Sequence, residues 1–302
     1  MTGRIVVGID GSPQSERALE WAIERAKLDG SDLELINAFS FPDDVSFHGF
    51  HGLAPAPVEW FHEFSQHLLG IAKSWVYEVA PELTCTVQPV LGPAGVVLLT
   101  AAEGASAVVV GRRGFSPVKS AVLGSVSLRL TTRATCPVIV TSDIEPPRSG
   151  PIVVGVDGSD FGAAALRFAL HEAALHNTGV RAVTAYRIPE LSVPLEPEFR
   201  AELRESTRAE AGELTLRTLP YARTRQTQDV EVEQITAEGR PADVILERAA
   251  DARLIVVGSH GKGLVRRLIL GSVSRQVLHD SDRPVAVIDI PQPGGDQPDP
   301  PA

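Results

Sequence analysis

Two glycine-rich segments of the chain share the spacing G-x2-G-x9-G-S, which can build a phosphate-binding loop. Glycine allows positive φ and has no Cβ, so its backbone N–H groups can approach a phosphate closely. The final Gly-Ser can open a helix, whose first N–H groups and dipole favour an anion. The alternative is that these glycines only turn the chain, but the repetition of the full spacing favours phosphate binding. The motif residues are Gly111, Gly114, Gly124 and Ser125 in the first segment and Gly258, Gly261, Gly271 and Ser272 in the second, with Ser127 and Ser274 as further hydroxyl donors.

An aspartate follows an apolar, β-branched run in each half of the chain. Asp10 and Asp157 each lie 101 residues before the first glycine of the corresponding loop. A carboxylate at the end of a strand can accept hydrogen bonds from a ribose or an adenine. The alternative role is to cap the following helix, in competition with Ser12 or Ser159, and the two roles can coexist.

The chain consists of two copies of one sequence unit. The segment VVGIDGS at 6–12 returns as VVGVDGS at 153–159, and the same offset of 147 residues relates the two glycine loops. So long a period fits the tandem duplication of a domain rather than a solenoid. We predict a first domain at 1–142, a linker at 143–150, a second domain at 151–290 and a disordered tail at 291–302.

Strand-like and helix-like patterns alternate within each unit. This alternation predicts a five-stranded, doubly wound α/β domain with parallel strands and right-handed crossovers. In such sheets ligands bind beyond the carboxyl ends of the strands, where the strand order reverses, so the loops after strands one, two and four should converge there. The predicted strands are 4–9, 33–38, 84–90, 106–110 and 137–141, then 151–156, 180–185, 229–235, 253–257 and 284–289. In the first unit Ser12 can cap a helix, Pro13 suits its first position and Gly30 can end it, and further helices are predicted at 58–79, 94–103 and 125–133.

Composition excludes several classes of protein. The 302 residues are 43% hydrophobic and 22% charged, with a net charge of −10, so bulk binding to nucleic acid or to an anionic membrane is not expected. The two cysteines, Cys85 and Cys136, cannot make a disulfide framework and are predicted to be core thiols. The N-terminus lacks a secretory signal and no run of 18 apolar residues occurs, so we expect a cytoplasmic protein.

Other chemical motifs fail on their spacing. There is no Walker A motif, and no GxGxxG follows the first strand. The pairs His62/His67 and His171/His176 stand five residues apart, which separates the imidazoles around a helix, so we predict solvated histidines and no metal held by the protein alone. The connection at 40–62 is interpreted as a packed loop, with a lid or a partner surface as the alternative.

The V-G-[IV]-D-G-S starts and the doubled glycine motif resemble the universal stress protein family, in its ATP-binding branch and its tandem two-domain form. The resemblance covers about residues 3–141 and 151–290. It implies a Rossmann-like, adenine nucleotide alpha hydrolase-like fold with one adenine-nucleotide site in each domain. It also implies that the last strands, 137–141 and 284–289, pair the domains edge to edge.

The same resemblance implies which residues hold the nucleotide. In the first unit Ile9, Asp10, Ala38 and Val110 would contact the adenosine, and Gly111, Gly114, Gly124, Ser125, Val126 and Ser127 would hold the ribose and phosphates. In the second unit the adenosine contacts would be Val156, Asp157, Ala185 and Val257. The ribose and phosphates would be held by Gly258, Gly261, Gly271, Ser272, Val273 and Ser274. The GSHGKG of the second loop is closer to the sequence common in the family, whereas the first loop has GRRGF. Arg112 and Arg113 of the first loop therefore either add phosphate contacts or alter the loop.

These observations favour an ATP-binding regulator of the stress response with little or no catalysis. Magnesium would be held through the phosphates, and we expect a homodimer, with a protein partner left open. The alternatives are a slow ATPase or nucleotidyl-transfer enzyme on the same fold, and an interaction scaffold that works without nucleotide.

Overall fold

The computed structural model describes residues 3–40, 58–114, 123–188, 196–261 and 269–289, which form ten strands and eight α-helices. The predicted disordered tail and most of the 40–62 connection lie outside these residues. The first unit contains β1 (Arg4–Gly8), α1 (Pro13–Asp29), β2 (Asp32–Phe39), α2 (Val58–Val79), β3 (Cys85–Leu91), α3 (Ala94–Ala101), β4 (Ala107–Gly111), α4 (Ser125–Arg133) and β5 (Val138–Thr141).

The second unit repeats this order between predicted linker and tail. It contains β6 (Ile152–Gly155), α5 (Asp160–His176), β7 (Val180–Tyr186), α6 (Pro197–Ala222), β8 (Val232–Glu238), α7 (Pro241–Arg248), β9 (Leu254–Gly258), α8 (Ser272–Asp280) and β10 (Val285–Ile288). Strand β8 begins three residues later than predicted, because a 3-10 turn at Arg225–Thr227 and a bond from Val230 N to Thr227 O hold the preceding chain in a turn.

The strand order confirms the predicted α/β fold. The first unit has the order β3-β2-β1-β4-β5 and the second β8-β7-β6-β9-β10, with parallel neighbours throughout each unit. Strands β5 and β10 pair antiparallel, with Ile139 opposite Ala286, and so join the units into one ten-stranded sheet. The edge pairing expected for the last strands is therefore made within the chain.

The core consists of two apolar layers, one on each face of the sheet. In β1, Val7 packs with Leu19 of α1 on one face, and Val6 packs with Leu98 of α3 and Leu130 of α4 on the other. Both valines are fully buried, as a central parallel strand requires.

Serine caps fix the first turns of the helices that follow β1 and β6. The Ser12 hydroxyl accepts a hydrogen bond from Ser15 N at the start of α1, and Gly30 ends that helix with φ 72°. The Ser159 hydroxyl does the same for Gly162 N in α5. These caps place both helix N-termini at the carboxyl edge of their strands.

Among the described helices, we find none that combines the length and apolarity needed to cross a membrane.

Candidate functional site

Each unit has a cavity at the carboxyl ends of its strands. The cavity lies between two neighbouring strands whose following loops lead to opposite faces of the sheet, which are β1 and β4 in the first unit and β6 and β9 in the second. The first measures about 680 Å³ and the second about 480 Å³. The structure brings all the residues predicted for each site together in the corresponding cavity. The first lining includes Ile9, Asp10, Ala38, Val110, Gly111, Gly114, Gly124, Ser125, Val126 and Ser127, and the second Val156, Asp157, Ala185, Val257, Gly258, Gly261, Gly271, Ser272, Val273 and Ser274.

Sequence reasoning missed an apolar wall that comes from the third helix of each unit. Leu98 of α3 lines the first cavity, and Ile245 of α7 lines the second. They stand at the repeat offset of 147 residues, so the duplication carried a signal for them. Each wall gives its cavity a surface against which a flat, apolar group can pack.

The aspartate after the first strand holds the serine that caps the next helix. Asp10 Oδ1 accepts hydrogen bonds from Ser12 N at 2.9 Å and from Ser12 Oγ at 2.5 Å. Asp157 Oδ1 accepts the equivalent bonds from Ser159 N at 2.9 Å and Oγ at 2.6 Å. Thus the serine is the helix cap and the aspartate orients it, and each carboxylate also lies on the wall of its cavity.

The second glycine of each loop leaves room for that carboxylate. A Cβ on Gly114 would collide with Asp10 Oδ2, and one on Gly261 would lie 2.8 Å from Asp157 Oδ2. None of the six loop glycines has a positive φ, so that part of the expectation is wrong. What the loops need is the missing Cβ. Near the cavities, positive φ values occur at Gly11 and Gly158, directly after the aspartates.

The helices that follow the glycine loops present open N-termini to the cavities. Helix α4 begins after Gly124 and α8 after Gly271, and neither has a side-chain cap. The Gly124 N–H donates to Arg112 O at 3.0 Å, and Gly271 N–H donates to Ser259 O at 2.9 Å. The first N–H groups of each helix have no partner within the helix, and with the helix dipole they favour an anion.

The two serines of each Gly-Ser-Val-Ser segment have different roles. Ser127 Oγ is buried and donates to Gly111 O at 2.9 Å, and Ser274 Oγ donates to Gly258 O at 2.5 Å. These hydroxyls bind the helix to the last residue of the fourth strand, so their protons are donated within the protein and are not available to a ligand. Ser125 and Ser272 are exposed residues in the cavity linings and keep their hydroxyls at the helix N-terminus.

The two arginines of the first loop separate. Arg113 lines the first cavity and lies 3.8 Å from the Asp143 carboxylate. Arg112 crosses to the second unit, where its Nη2 donates to Leu278 O at 2.5 Å and His279 O at 2.7 Å, at the C-terminus of α8. Burial lowers the pKa of Arg112. Arg113 is therefore placed to add charge to the cavity, whereas the Arg112 side chain is engaged by the other unit.

The second loop carries other side chains on a similar backbone. Ser259 Oγ donates to Asp289 Oδ1 at 3.1 Å and lies 2.9 Å from His260 Nδ1. The His260 ring lines the second cavity and packs against Phe161, with ring centroids 5.2 Å apart. The two cavities thus share their glycine geometry and differ in the polar groups beside it.

Outside the cavities, the histidines and cysteines that the structure describes form no cluster that could bind a metal. Within the described ranges, no group of three or more His, Cys, Asp or Glu side chains is arranged to hold a metal ion. His62 and His67 are exposed, but the prediction of solvated side chains is wrong for His171 and His176, which are partly buried. Burial lowers the pKa of His171 and lowers that of His176 to about 4. Cys85 and Cys136 are free and buried, as predicted, and burial raises the pKa of each to about 11.

Comparison with known proteins agrees with the duplicated geometry. The model of the universal stress protein family matches residues 1–142 and again 149–289. The chain belongs to the universal stress protein family. Universal stress protein Rv2623 of Mycobacterium tuberculosis is 30% identical over 290 residues, which cover 94% of this chain and 95% of that protein.

Two solved structures share the fold of both units along nearly the whole chain. Protein PA1789 of Pseudomonas aeruginosa superposes with a TM-score of 0.66 at 18% identity, covering 96% of this chain and 93% of that one. A universal stress protein of Archaeoglobus fulgidus gives a TM-score of 0.62 at 21% identity and covers 98% of both chains. These likenesses establish the fold.

Proposed function

We propose that this universal stress protein binds ATP in each of its two cavities and acts as a regulator of the stress response. The observation that carries the proposal is the duplicated cradle, in which an open helix N-terminus, a glycine loop and an aspartate surround a cavity in each unit. Packing alone can produce one cradle of this kind. Here both units have it, and both keep the same backbone contacts.

The walls of each cavity suit the parts of a nucleotide. The apolar side, with Leu98 or Ile245, would hold the base, and the aspartate would accept hydrogen bonds from ribose hydroxyls. The N-terminus of α4 or α8, with the exposed hydroxyl of Ser125 or Ser272, would hold phosphates. The volumes fall in the range of roughly 300–1,000 Å³ usual for ligand pockets. Magnesium would be held through the phosphates.

We also propose a cytoplasmic protein that assembles as a homodimer. Support for a reducing compartment comes from Cys85 and Cys136, which are both free thiols. A homodimer would have to use a surface other than the edges of β5 and β10, since these strands pair within the chain.

The test is titration of the full chain with Mg-ATP by isothermal calorimetry. We expect two ATP per chain, one per chain after Gly114→Leu or Gly261→Leu, and none after both changes, with an unaltered far-UV spectrum. The bulky side chain would push the aspartate and fill the cradle. Gly70→Leu is the matched control, because Gly70 is exposed and a Cβ there meets no atom within 4 Å apart from its own helix backbone, and it should keep both sites.

Two outcomes would contradict the proposal. Binding that survives both glycine changes would remove the loops from the site, and a wild-type chain that binds no adenine nucleotide would favour the interaction scaffold. Steady ATP turnover lost on Asp10→Asn and Asp157→Asn would instead favour the enzyme.

A further inference from the structure

Arg25 and Glu172 face each other across the interface between the units, and they occupy equivalent positions in the repeat. They are separated by the repeat offset of 147 residues, one in α1 and the other in α5. Arg25 Nε donates to Glu172 Oε1 at 2.8 Å and to Oε2 at 3.0 Å. The Glu172 side chain is fully buried and that of Arg25 is 10% exposed.

The residues one helical turn further on are also equivalent and extend this cluster. Asp29 forms an ion pair with Arg25, and His176 Nε2 lies 3.8 Å from Glu172 Oε2. Burial lowers the pKa of Arg25, but the carboxylates of Glu172 and Asp29 outweigh it and raise that pKa overall. Burial raises the pKa of Glu172 against the attraction of Arg25. The stability of the cluster therefore depends on the Arg25 guanidinium and the carboxylates of Glu172 and Asp29 being present together.

A second ion pair across the interface also joins residues whose counterparts in the other unit carry different side chains. Arg253 of the second unit lies 2.7 Å from the Glu24 carboxylate of the first. The equivalent positions hold Ser106 and His171, which cannot form an ion pair of this kind because serine carries no charge. The two faces are therefore equivalent in backbone and unlike in charge.

This difference in charge matters because equivalent faces meet about a pseudo-twofold axis, and a residue close to that axis faces its own counterpart, as Arg25 faces Glu172. If two second units met through this face, two buried carboxylates would stand where Arg25 and Glu172 now pair. Two first units would bring two guanidinium groups together at the same place. A buried charge without its partner is strongly destabilising.

We propose that the Arg25–Glu172 pair makes this interface selective, so that the face of a first unit accepts a second unit and rejects another first unit. The partner that fits the α1 face carries a carboxylate at the position of Glu172 and a free edge strand that can pair antiparallel with β5. In the native chain its own second unit is that partner, and the chain closes on itself.

Charge reversal in the full chain tests this inference. Arg25→Glu places two carboxylates in the interface, and Glu172→Arg places two guanidinium groups there. We expect each variant alone to have a lower urea midpoint and a larger radius of gyration by small-angle scattering. When the two variants are refolded together from urea, each chain can pair its units with those of the other. The expected product is a unit-swapped dimer, which holds the two variants in a one-to-one ratio and which sedimentation velocity detects as twice the mass of the particle that the wild type forms.

The double variant R25E/E172R restores opposite charges within one chain and should return to the compactness and the assembly state of the wild type. Arg17→Glu is the control for a surface reversal, since the Arg17 side chain is 39% exposed and lies 4.0 Å from the exposed Glu20, and it should leave the midpoint unchanged. A dimer from the mixture supports the proposal even if each single variant aggregates alone. Single variants that stay compact with a wild-type midpoint would overturn it. So would a mixture without dimer together with a double variant that stays open.

Discussion

Arg112 joins the glycine loop of the first unit to Leu278 at the C-terminus of α8 in the second. The guanidinium donates to the last carbonyl groups of a helix whose N-terminus faces the second cavity. A cation at this end of a helix stabilises its dipole. The loop of one candidate site therefore contributes to the stability of the helix that forms the other.

Replacing Arg112 by alanine should lower the free energy of unfolding by about 1–2 kcal/mol, through lost charge-assisted hydrogen bonds and a lost dipole interaction. Urea denaturation followed by circular dichroism measures the change. Arg148→Ala is the control, since that side chain is 86% exposed, and it should change little. Equal midpoints for the two variants would show that the Arg112 cap contributes nothing to stability.

The serine pairs should separate stability from ligand binding. Ser127→Ala or Ser274→Ala removes a buried donor to a strand carbonyl and should lower the free energy of unfolding by about 1 kcal/mol. Ser125→Ala or Ser272→Ala should leave that free energy nearly unchanged and weaken ATP binding severalfold. Thermal melts with and without Mg-ATP measure both effects. The reverse ranking would assign the buried hydroxyls to the ligand.

Acid should destabilise the interface through His176. Its pKa falls from the ordinary 6.5 to about 4, so between these values the unfolded chain binds more protons than the folded one. The free energy of unfolding therefore decreases as the pH falls through this window, by about 2 kcal/mol between pH 7 and pH 5 from this residue. The raised pKa of Glu172 acts in the opposite direction, because its contribution is present at low pH and is lost as the pH rises.

The measurement compares His176→Gln with the wild type by urea denaturation at both pH values. We expect a smaller loss on acidification in the variant. His67→Gln, at an exposed position of α2, should follow the wild type. If all three proteins lost the same stability, His176 would not be the group responsible.

The two thiols should resist modification until the chain unfolds. With pKa values of about 11, Cys85 and Cys136 are thiolate in only about one molecule in a thousand at pH 8. Reaction with a disulfide reagent at that pH should be slow in the native protein and reach two equivalents rapidly in urea. Ser74→Cys, at an exposed position on α2, should add one fast equivalent. Two fast native equivalents in the wild type would contradict the burial of these residues.

Local pattern predicted the elements and the end of the sheet where the cavities lie. The β-branched run at β1 and the serine, proline and glycine signals around α1 depend on neighbours in sequence, and both elements formed as predicted. The loops after the first, second and fourth strands meet because parallel strands carry their carboxyl ends to one edge.

Contacts between distant elements could not be read from the same patterns. Helix α3, with the sequence AGVVLLTA, is apolar nearly all round, so its sequence does not say that Leu98 is the residue that reaches the cavity. The spacing of His171 and His176 excludes a shared face for metal binding, yet it gives no sign that α5 packs against α1, where His176 becomes buried. For Arg112, sequence left two roles open, and the side chain takes a third that requires both units in place.

Because β5 and β10 run in opposite directions, every strand of the first unit points against every strand of the second. The mouths of the two cavities consequently open at opposite margins of the molecule. A protein docked flat over one mouth would leave the other accessible to solvent, so the chain could be held on one side while it still exchanged small molecules on the other.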